Sequence, residues 1–161
     1  MLRRYTLADR TTCVAILESN TPRFFAHRDR EDFLSFLDAP AGIYSVLEDN
    51  NSAIIGCGGI ATRNKGQEGI LTWGMIHADR HRQGWGKLLA LTRLRQLSEI
   101  PSVQKVTINT SNETVGFYST LDFRVTNYRP NYYSEGLHRY DMELLIDDDI
   151  RRRLREINRV L

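Results

Sequence analysis

The sequence predicts a mixed α/β (α+β) fold: one central sheet of about six to seven strands, flanked by helices and followed by a C-terminal amphipathic helix. Three observations predict it. Apolar residues between positions 11 and 37 recur at helical spacing. Residues 43–77 break into short apolar stretches separated by polar turns, the pattern of a meander. From residue 69 onward strand patterns alternate with helix patterns, which a two-layer α/β packing accommodates.

Each element has its own local reason. Thr11-Thr12 precede Ala15, Ile16 and Leu17, and Arg30-Glu31-Asp32 precede Phe33, Phe36 and Leu37, so two helices open the chain. Pro40 and Gly42 then punctuate it. Residues 43–47 and 53–61 read as strands joined by Asp49-Asn50-Asn51, a hairpin signal. A second turn at Asn64-Lys65-Gly66-Gln67 leads to a strand at 69–77. The basic, glycine-bearing segment 80–87 follows, and behind it runs a helix with Leu88, Leu91, Leu94 and Leu97 on one face, ending before Pro101. Residues 103–110 alternate as a strand. Thr110-Ser111-Asn112-Glu113 fits a capping box opening a short helix through Leu121. Residues 123–128 and 137–146 read as two more strands, with a loop at 128–135 between them. Asp147 to Leu161 form the tail helix, with Ile150, Leu154, Ile157 and Leu161 in one stripe.

Composition narrows the function. The chain has 161 residues, 41% hydrophobic and 26% charged, with net charge +2. That suits one globular domain spanning residues 1–161, with 147–161 as a helical extension, and argues against disorder. No apolar run approaches the ~20 residues that span a bilayer, and no apolar signal core follows the N-terminal arginines, so a cytoplasmic protein without a membrane partner is expected. Cys13 and Cys57 lack C-x-x-C spacing and read as reduced, buried thiols. His27, His77, His81 and His138 show no ligand spacing, so no metal is expected. Near-neutral charge argues against nucleic acid. Yet 19 of the 22 basic residues are arginine, which suits phosphate better than lysine does.

The segment Arg80-His81-Arg82-Gln83-Gly84-Trp85-Gly86-Lys87 places a glycine loop between a strand and a helix. The first turn of a helix has unpaired N–H groups and the positive end of the helix dipole, and glycines let an anion reach the backbone. Arg82, Lys87 and His81 add charge at the rim. A nucleotide-hydrolase loop would need Ser or Thr after Lys87, where Leu88 stands. A dinucleotide fingerprint would need glycine at Leu89. A plain tight turn at a helix start remains open on spacing alone.

Segment 75–89, from Met75-Ile76-His77 through Gly84-Trp85-Gly86-Lys87 to Leu89, resembles the acyl-CoA-binding signature of the GNAT N-acetyltransferase superfamily, Q/R-x-x-G-x-G/A. Residues 112–123, Asn112-Glu113-Thr114-Val115-Gly116-Phe117-Tyr118-Ser119-Thr120-Leu121-Asp122-Phe123, are similar to its later N-x-x-A-x-x-F-Y-x-x-x-G-F stretch. The departures are His81 at the first loop position, Asp122 before Phe123, and a gap from Asn112 to Tyr118 one residue short. Matching Asn112 puts Val115 at the alanine position; matching Tyr118 puts Thr114 there and Ser111 at the asparagine.

The resemblance implies a GNAT-like sheet and acetyl-CoA as co-substrate. It implies that the pyrophosphate lies over His81, Arg82, Gln83, Gly84, Trp85, Gly86 and Lys87, and that the pantetheine arm follows Met75 and Ile76. Asn112 would bond the arm, and Tyr118 would act as general acid toward the leaving thiolate. Trp85 reads as packing or a lid. Many relatives place a Glu or His base on the strand before the loop. Counting back from Ile76, strand alternation puts Gly74, Thr72, Ile70 and Glu68 on one face, which makes Glu68 the candidate base and Thr72 a candidate water relay. His77 should face the other way. No arrangement for a covalent acyl-enzyme is present. The expected activity is direct acetyl transfer from acetyl-CoA to an amine of a small molecule or peptide, with a free N–H near Ile76 polarising the thioester. The acceptor should lie among the N-terminal helices, the 128–135 loop and the last strands. The rival is a non-catalytic CoA-binding regulatory or interaction module of the same fold. The tail stripe needs a partner surface, either its own domain or the mate in a homodimer.

Overall fold

A computed structural model describes residues 1–157. The chain runs β1 (Leu2–Arg4), α1 (Arg10–Ser19), α2 (Asp29–Asp38), β2 (Ile43–Glu48), β3 (Ile54–Arg63), β4 (Glu68–Ile76), α3 (Trp85–Ser98), β5 (Lys105–Ser111), α4 (Val115–Ser119), β6 (Arg124–Ser134), β7 (Leu137–Leu145) and α5 (Asp148–Ile157). The strands form a seven-stranded sheet in the order β1-β2-β3-β4-β5-β7-β6. All neighbours are antiparallel except β4 and β5. That parallel pair joins only from Glu68↔Lys105 to Ile70↔Thr107. Beyond it, residues 71–76 of β4 and 108–111 of β5 have no partner in each other, so the sheet opens in its middle.

Alternating side chains build a core on each face. Leu94 and Leu97 of α3 pack with Ile60, Leu71, Val106 and Met142. On the other face Cys13, Ile16 and Leu17 of α1 and Phe33 and Leu37 of α2 pack against Tyr44, Val46, Cys57 and Met75. Phe33 and Leu97 are wholly buried, each stabilising by roughly 2–3 kcal/mol relative to exposure. Cys13 and Cys57 are buried free thiols; contact with Cys57 and burial push the Cys13 thiol up.

The fold class agrees with expectation, and three local expectations need correction. β1 is an added edge strand, paired with β2 from Leu2↔Leu47 to Arg4↔Ser45. The expected 128–135 loop is instead the second half of β6 and the start of its turn. β6 is a solvent-exposed edge whose outer side tolerates Pro130. The capping box does not form: Thr110 and Ser111 stay on β5 by pairing with Tyr140 and Arg139, and α4 starts only at Val115.

The tail takes the first of its two expected partner surfaces, its own chain. Leu154 of α5 is buried in the core that α3 covers. Arg151 donates to the carbonyls of Ser98, Ile100 and Val103, capping the C-terminal end of α3. Leu161 of the expected stripe lies outside the described residues. No helix among the described residues is long and apolar enough to cross a membrane.

Candidate active site

β4 carries the feature that organises the site. Cys57 pairs with Met75 and Gly59 with Thr72, so Gly58 alone faces both Trp73 and Gly74. Trp73 takes φ +40°, rare for a bulky residue. Such a bulge shifts the alternation of side chains by one. Ile76 and Gly74 therefore face α3, where Ile76 packs with Leu89 and a Cβ on Gly74 would meet Arg93. Thr72 lies on the opposite face, beside Gly59 and Tyr44. The expectation that Glu68, Ile70, Thr72 and Gly74 share one face with Ile76 is thus corrected. Two side chains pin the bulge. The Tyr44 hydroxyl donates to the Trp73 carbonyl at 3.0 Å, and Arg93 Nη1 donates to the Thr72 and Gly59 carbonyls at 3.4 Å each.

The end of β4 is held by side-chain bonds that the sequence did not announce. The His77 N–H donates to the Ile55 carbonyl at 2.8 Å, toward β3. Amides alternate along a strand, so the Ile76 N–H points the other way, into the opening toward β5. The Ile76 carbonyl accepts from buried Asn20 Nδ2 and from His81 Nε2, each at 2.9 Å. His81 is therefore turned inward, its ring edge-on to Phe24, and shapes the loop rather than lining its rim. His77 Nδ1 accepts from the Asp79 N–H at 3.3 Å and caps the turn.

The loop then presents its backbone. Arg82 takes φ +60° and Gly84 φ +87°, and Gly84 is the N-cap of α3. Leu88 donates to the Gly84 carbonyl, so the amides of Trp85, Gly86 and Lys87 precede the first helical bond. A Cβ on Gly84 would meet nothing within 4 Å, and one on Gly86 only Ile76 at 4.0 Å. This is an open cradle of backbone donors with exposed Arg82 and Lys87 at its edge. Gln83 bridges inward, donating to the Asp79 carbonyl at 3.2 Å and accepting from Trp85 Nε1 at 3.4 Å. The Trp85 ring packs with Leu47, Ile55 and Leu89.

Across the opening, α4 follows directly from β5. The Tyr118 ring is buried, edge-on to Phe117 and Phe123. Its hydroxyl makes no hydrogen bond among the described residues and is not among the enclosed unpaired side-chain atoms, so its tip reaches open space. Asn112 lies in the turn before α4, and its Oδ1 accepts from the His138 N–H at 2.8 Å, which ties it to β7.

Glu68 and Thr72 stand apart from these groups. Glu68 lies at the closed end of the β4–β5 pair, eight residues before Ile76, or roughly 25 Å along a strand. Its carboxylate accepts from Arg63, from Asn64 Nδ2 at 2.6 Å and from Thr107 Oγ1 at 2.8 Å. The Arg63 hydrogen bond, with help from Thr107, holds its carboxyl below the usual range. That is the chemistry of a structural ion pair. The Thr72 hydroxyl is enclosed without a partner.

A roof spans the opening. Arg23, in the segment between α1 and α2, pairs with Glu113 at 2.9 Å, and Arg28 donates to the Tyr132 carbonyl of β6. Beneath, Phe25 stacks on Trp73 at 6.1 Å. Burial pushes the Tyr133 phenol up to about 12 and raises the Asp29 carboxyl. Sequence reasoning missed Asn20, Tyr44 and Arg93. Only Arg93 left a signal, as a cation four residues from both Leu89 and Leu97 on the buried stripe of α3.

Residues 28–146 match the family described as acetyltransferase (GNAT) domain. No curated protein matches the sequence. Solved structures of the same fold include Ard1 from Thermoplasma volcanium, 17% identical with TM-score 0.74, covering 92% of this chain and 98% of that one. An aminoglycoside 6'-N-acetyltransferase complexed with coenzyme A is 11% identical, with TM-score 0.72 and coverage of 91% and 97%. The spermidine N-acetyltransferase from Vibrio cholerae, in complex with CoA and spermine, is 15% identical, with TM-score 0.71 and coverage of 91% and 95%.

Proposed function

Because the chain belongs to the GNAT acetyltransferase family, we propose that it moves an acetyl group from acetyl-CoA directly to an amine, most simply that of a small molecule. The observation that carries this reading is the pairing of two features across the opened sheet: the open cradle at Gly84 and Gly86, and the hydroxyl of buried Tyr118, unpaired among the described residues. The residues present fit CoA, since the first-turn amides of α3 stand clear of other protein atoms at Gly84 and Gly86 and two exposed cations belong to the same segment. When bound, acetyl-CoA supplies an activated acyl carbon.

In this reading the amides of Trp85, Gly86 and Lys87 hold the pyrophosphate, with Arg82 and Lys87 as counter-charge. The Ile76 N–H polarises the thioester carbonyl. Tyr118 gives its phenolic proton to sulfur as the carbon–sulfur bond breaks, and regains one from the nitrogen that has formed the amide. Asn20 and His81 hold the end of β4 beside the Ile76 N–H, through the Ile76 carbonyl. Glu68, fully engaged and far from Ile76, is left out of the chemistry, and an amine that arrives partly deprotonated needs no dedicated base. The similar structures named above act on an aminoglycoside and on spermidine, which supports small-molecule amines as the first class to try.

Thiol release from acetyl-CoA, measured against polyamines, aminoglycosides and short peptides, tests the reading. Stoichiometric thiol and acetylated amine are expected. Tight CoA binding with no transfer to any amine would make the chain a non-catalytic CoA module instead.

A further inference from the structure

Arg93 is 2% exposed, and no carboxylate pairs with it among the described residues. A buried cation without a counter-ion is strongly unfavourable unless hydrogen bonds compensate it. Two of its nitrogens make only long bonds: Nε to the Leu89 carbonyl at 3.3 Å, and Nη1 to the Gly59 and Thr72 carbonyls at 3.4 Å. The third, Nη2, has no partner among the described residues. Nor is it enclosed, since the enclosed unpaired side-chain atoms are those of Tyr5, Thr72 and Arg95. Nη2 therefore keeps contact with open space.

The backbone is shaped around this group. A Cβ on Gly58 would lie 2.9 Å from Nη1, and one on Gly74 would lie 2.7 Å from Nη1 and closer still to Nη2. Glycine at both positions lets the guanidinium lie flat on the bulge. Gly74 belongs to the part of β4 that has lost β5 as a neighbour, so Nη2 opens beside the gap in the sheet. Arg93 stands eight residues into α3 from Trp85, about 12 Å along the axis from the cradle. That is too far for the pyrophosphate and level with whatever extends from it along β4.

We propose that Arg93 is a cofactor-contacting residue whose Nη2 donates to a carbonyl oxygen of the acyl-pantetheine arm. The inference rests on the acyltransferase reading above. The arm offers neutral carbonyls and no acid, which fits a site with one free donor and no carboxylate partner among the described residues. Ligand binding thus gives the buried cation the acceptor that the protein withholds.

The test is calorimetric titration of wild type, Arg93→Met and Arg93→Lys with two ligands: CoA, and adenosine 3',5'-bisphosphate, which has no arm. Arg93→Met should weaken CoA by ~10- to 100-fold and leave the bisphosphate unchanged, and Arg93→Lys should recover part of the loss. CoA affinity equal to wild type, or an equal loss for both ligands, would overturn the proposal, the latter by showing a merely structural role. If the methionine variant does not fold, arginine side-chain NMR of the wild type decides. The Arg93 resonances should move with CoA and not with the bisphosphate, and no movement with CoA overturns the contact. A wild-type chain that binds neither ligand refutes the acyltransferase reading, and this proposal with it.

Discussion

Replacing Gly84 with valine separates backbone strain from loss of the phosphate cradle. Gly84 holds φ +87°, where an L-residue is strained, but a Cβ there meets no protein atom within 4 Å. The expected damage to the fold is therefore the left-handed penalty alone, about 1–2 kcal/mol, or a melting temperature lower by roughly 2–8 °C. The damage to binding should be much larger, because the side chain fills the space from which the α3 amides reach the ligand. A hydrogen bond to a charged group is worth about 1.5–3 kcal/mol, so losing even one donor should weaken CoA by ~10- to 100-fold. Gly136 supplies the control. It holds φ +75° with equally empty surroundings, but sits in the β6–β7 turn. Gly136→Val should show similar strain and bind CoA normally. Thermal melts and calorimetric titration of both variants check this. Equal CoA affinity in the two variants would refute the assignment of the cradle.

Four further outcomes are expected. Tyr118→Phe keeps the ring packing and should lower turnover by ~10²–10⁴ with CoA affinity nearly constant; undiminished turnover with chemistry rate-limiting removes Tyr118 from the mechanism. Glu68→Gln should lower stability by about 1–2 kcal/mol through its bonds to Arg63 and Thr107 and leave turnover intact; the reverse result would make Glu68 the base after all. Asp9 accepts from Arg3 and Thr6, and the Arg3 hydrogen bonds hold its carboxyl down from 3.8 to about 2. A depressed pKa stabilises the fold above pH 3.8 and loses that stability as pH falls toward 2, so the advantage of wild type over Asp9→Asn in urea melts, up to about 2 kcal/mol, should vanish across that window. Truncation after Asp147 strips Leu154 from the core and the Arg151 cap from α3, and should lower the melting temperature without changing CoA affinity.

The elements that were legible in the sequence are those set by local pattern. The stripes of α1, α2 and α3 and the alternation of β2, β3 and β7 follow from side-chain periodicity, and the glycine loop follows from its spacing. What escaped depends on contacts between distant residues. Alternation alone put Thr72 and Ile76 on one face, because nothing local marks the insertion at Trp73 and Gly74. The bulge needs Gly58 on β3 to lack a side chain and Tyr44 and Arg93 to hold the carbonyls around it, from opposite faces of the sheet. Asn112 and His81 were legible as positions, but their protein partners were not, since these are the His138 amide, 26 residues away, and the Ile76 carbonyl. The capping box failed for the same kind of reason: seven cross-strand pairs with β7 keep Ser111 in β5.

The same division explains why the two halves of the proposed reaction differ in how far they can be read. In the proposed reaction the cofactor half rests on backbone amides in one continuous segment, residues 84–87, and every residue type but proline carries such an amide. An aminoglycoside enzyme at 11% identity and a spermidine enzyme at 15% share the fold. The opposite side is assembled from three segments, with Arg23–Glu113 and Arg28 on the Tyr132 carbonyl tying the α1–α2 segment to the other two. Its chemistry is set by side chains, with Phe25 on Trp73 and a desolvated Asp29 and Tyr133 nearby, and so changes with residue identity where a cradle of backbone amides does not. Acceptor choice in this chain is therefore proposed to reside in the roof between α1 and α2. Substitutions at Arg28 or Tyr133 should redistribute activity across an amine panel while CoA affinity stays fixed. Parallel losses for every amine would instead place acceptor selection elsewhere.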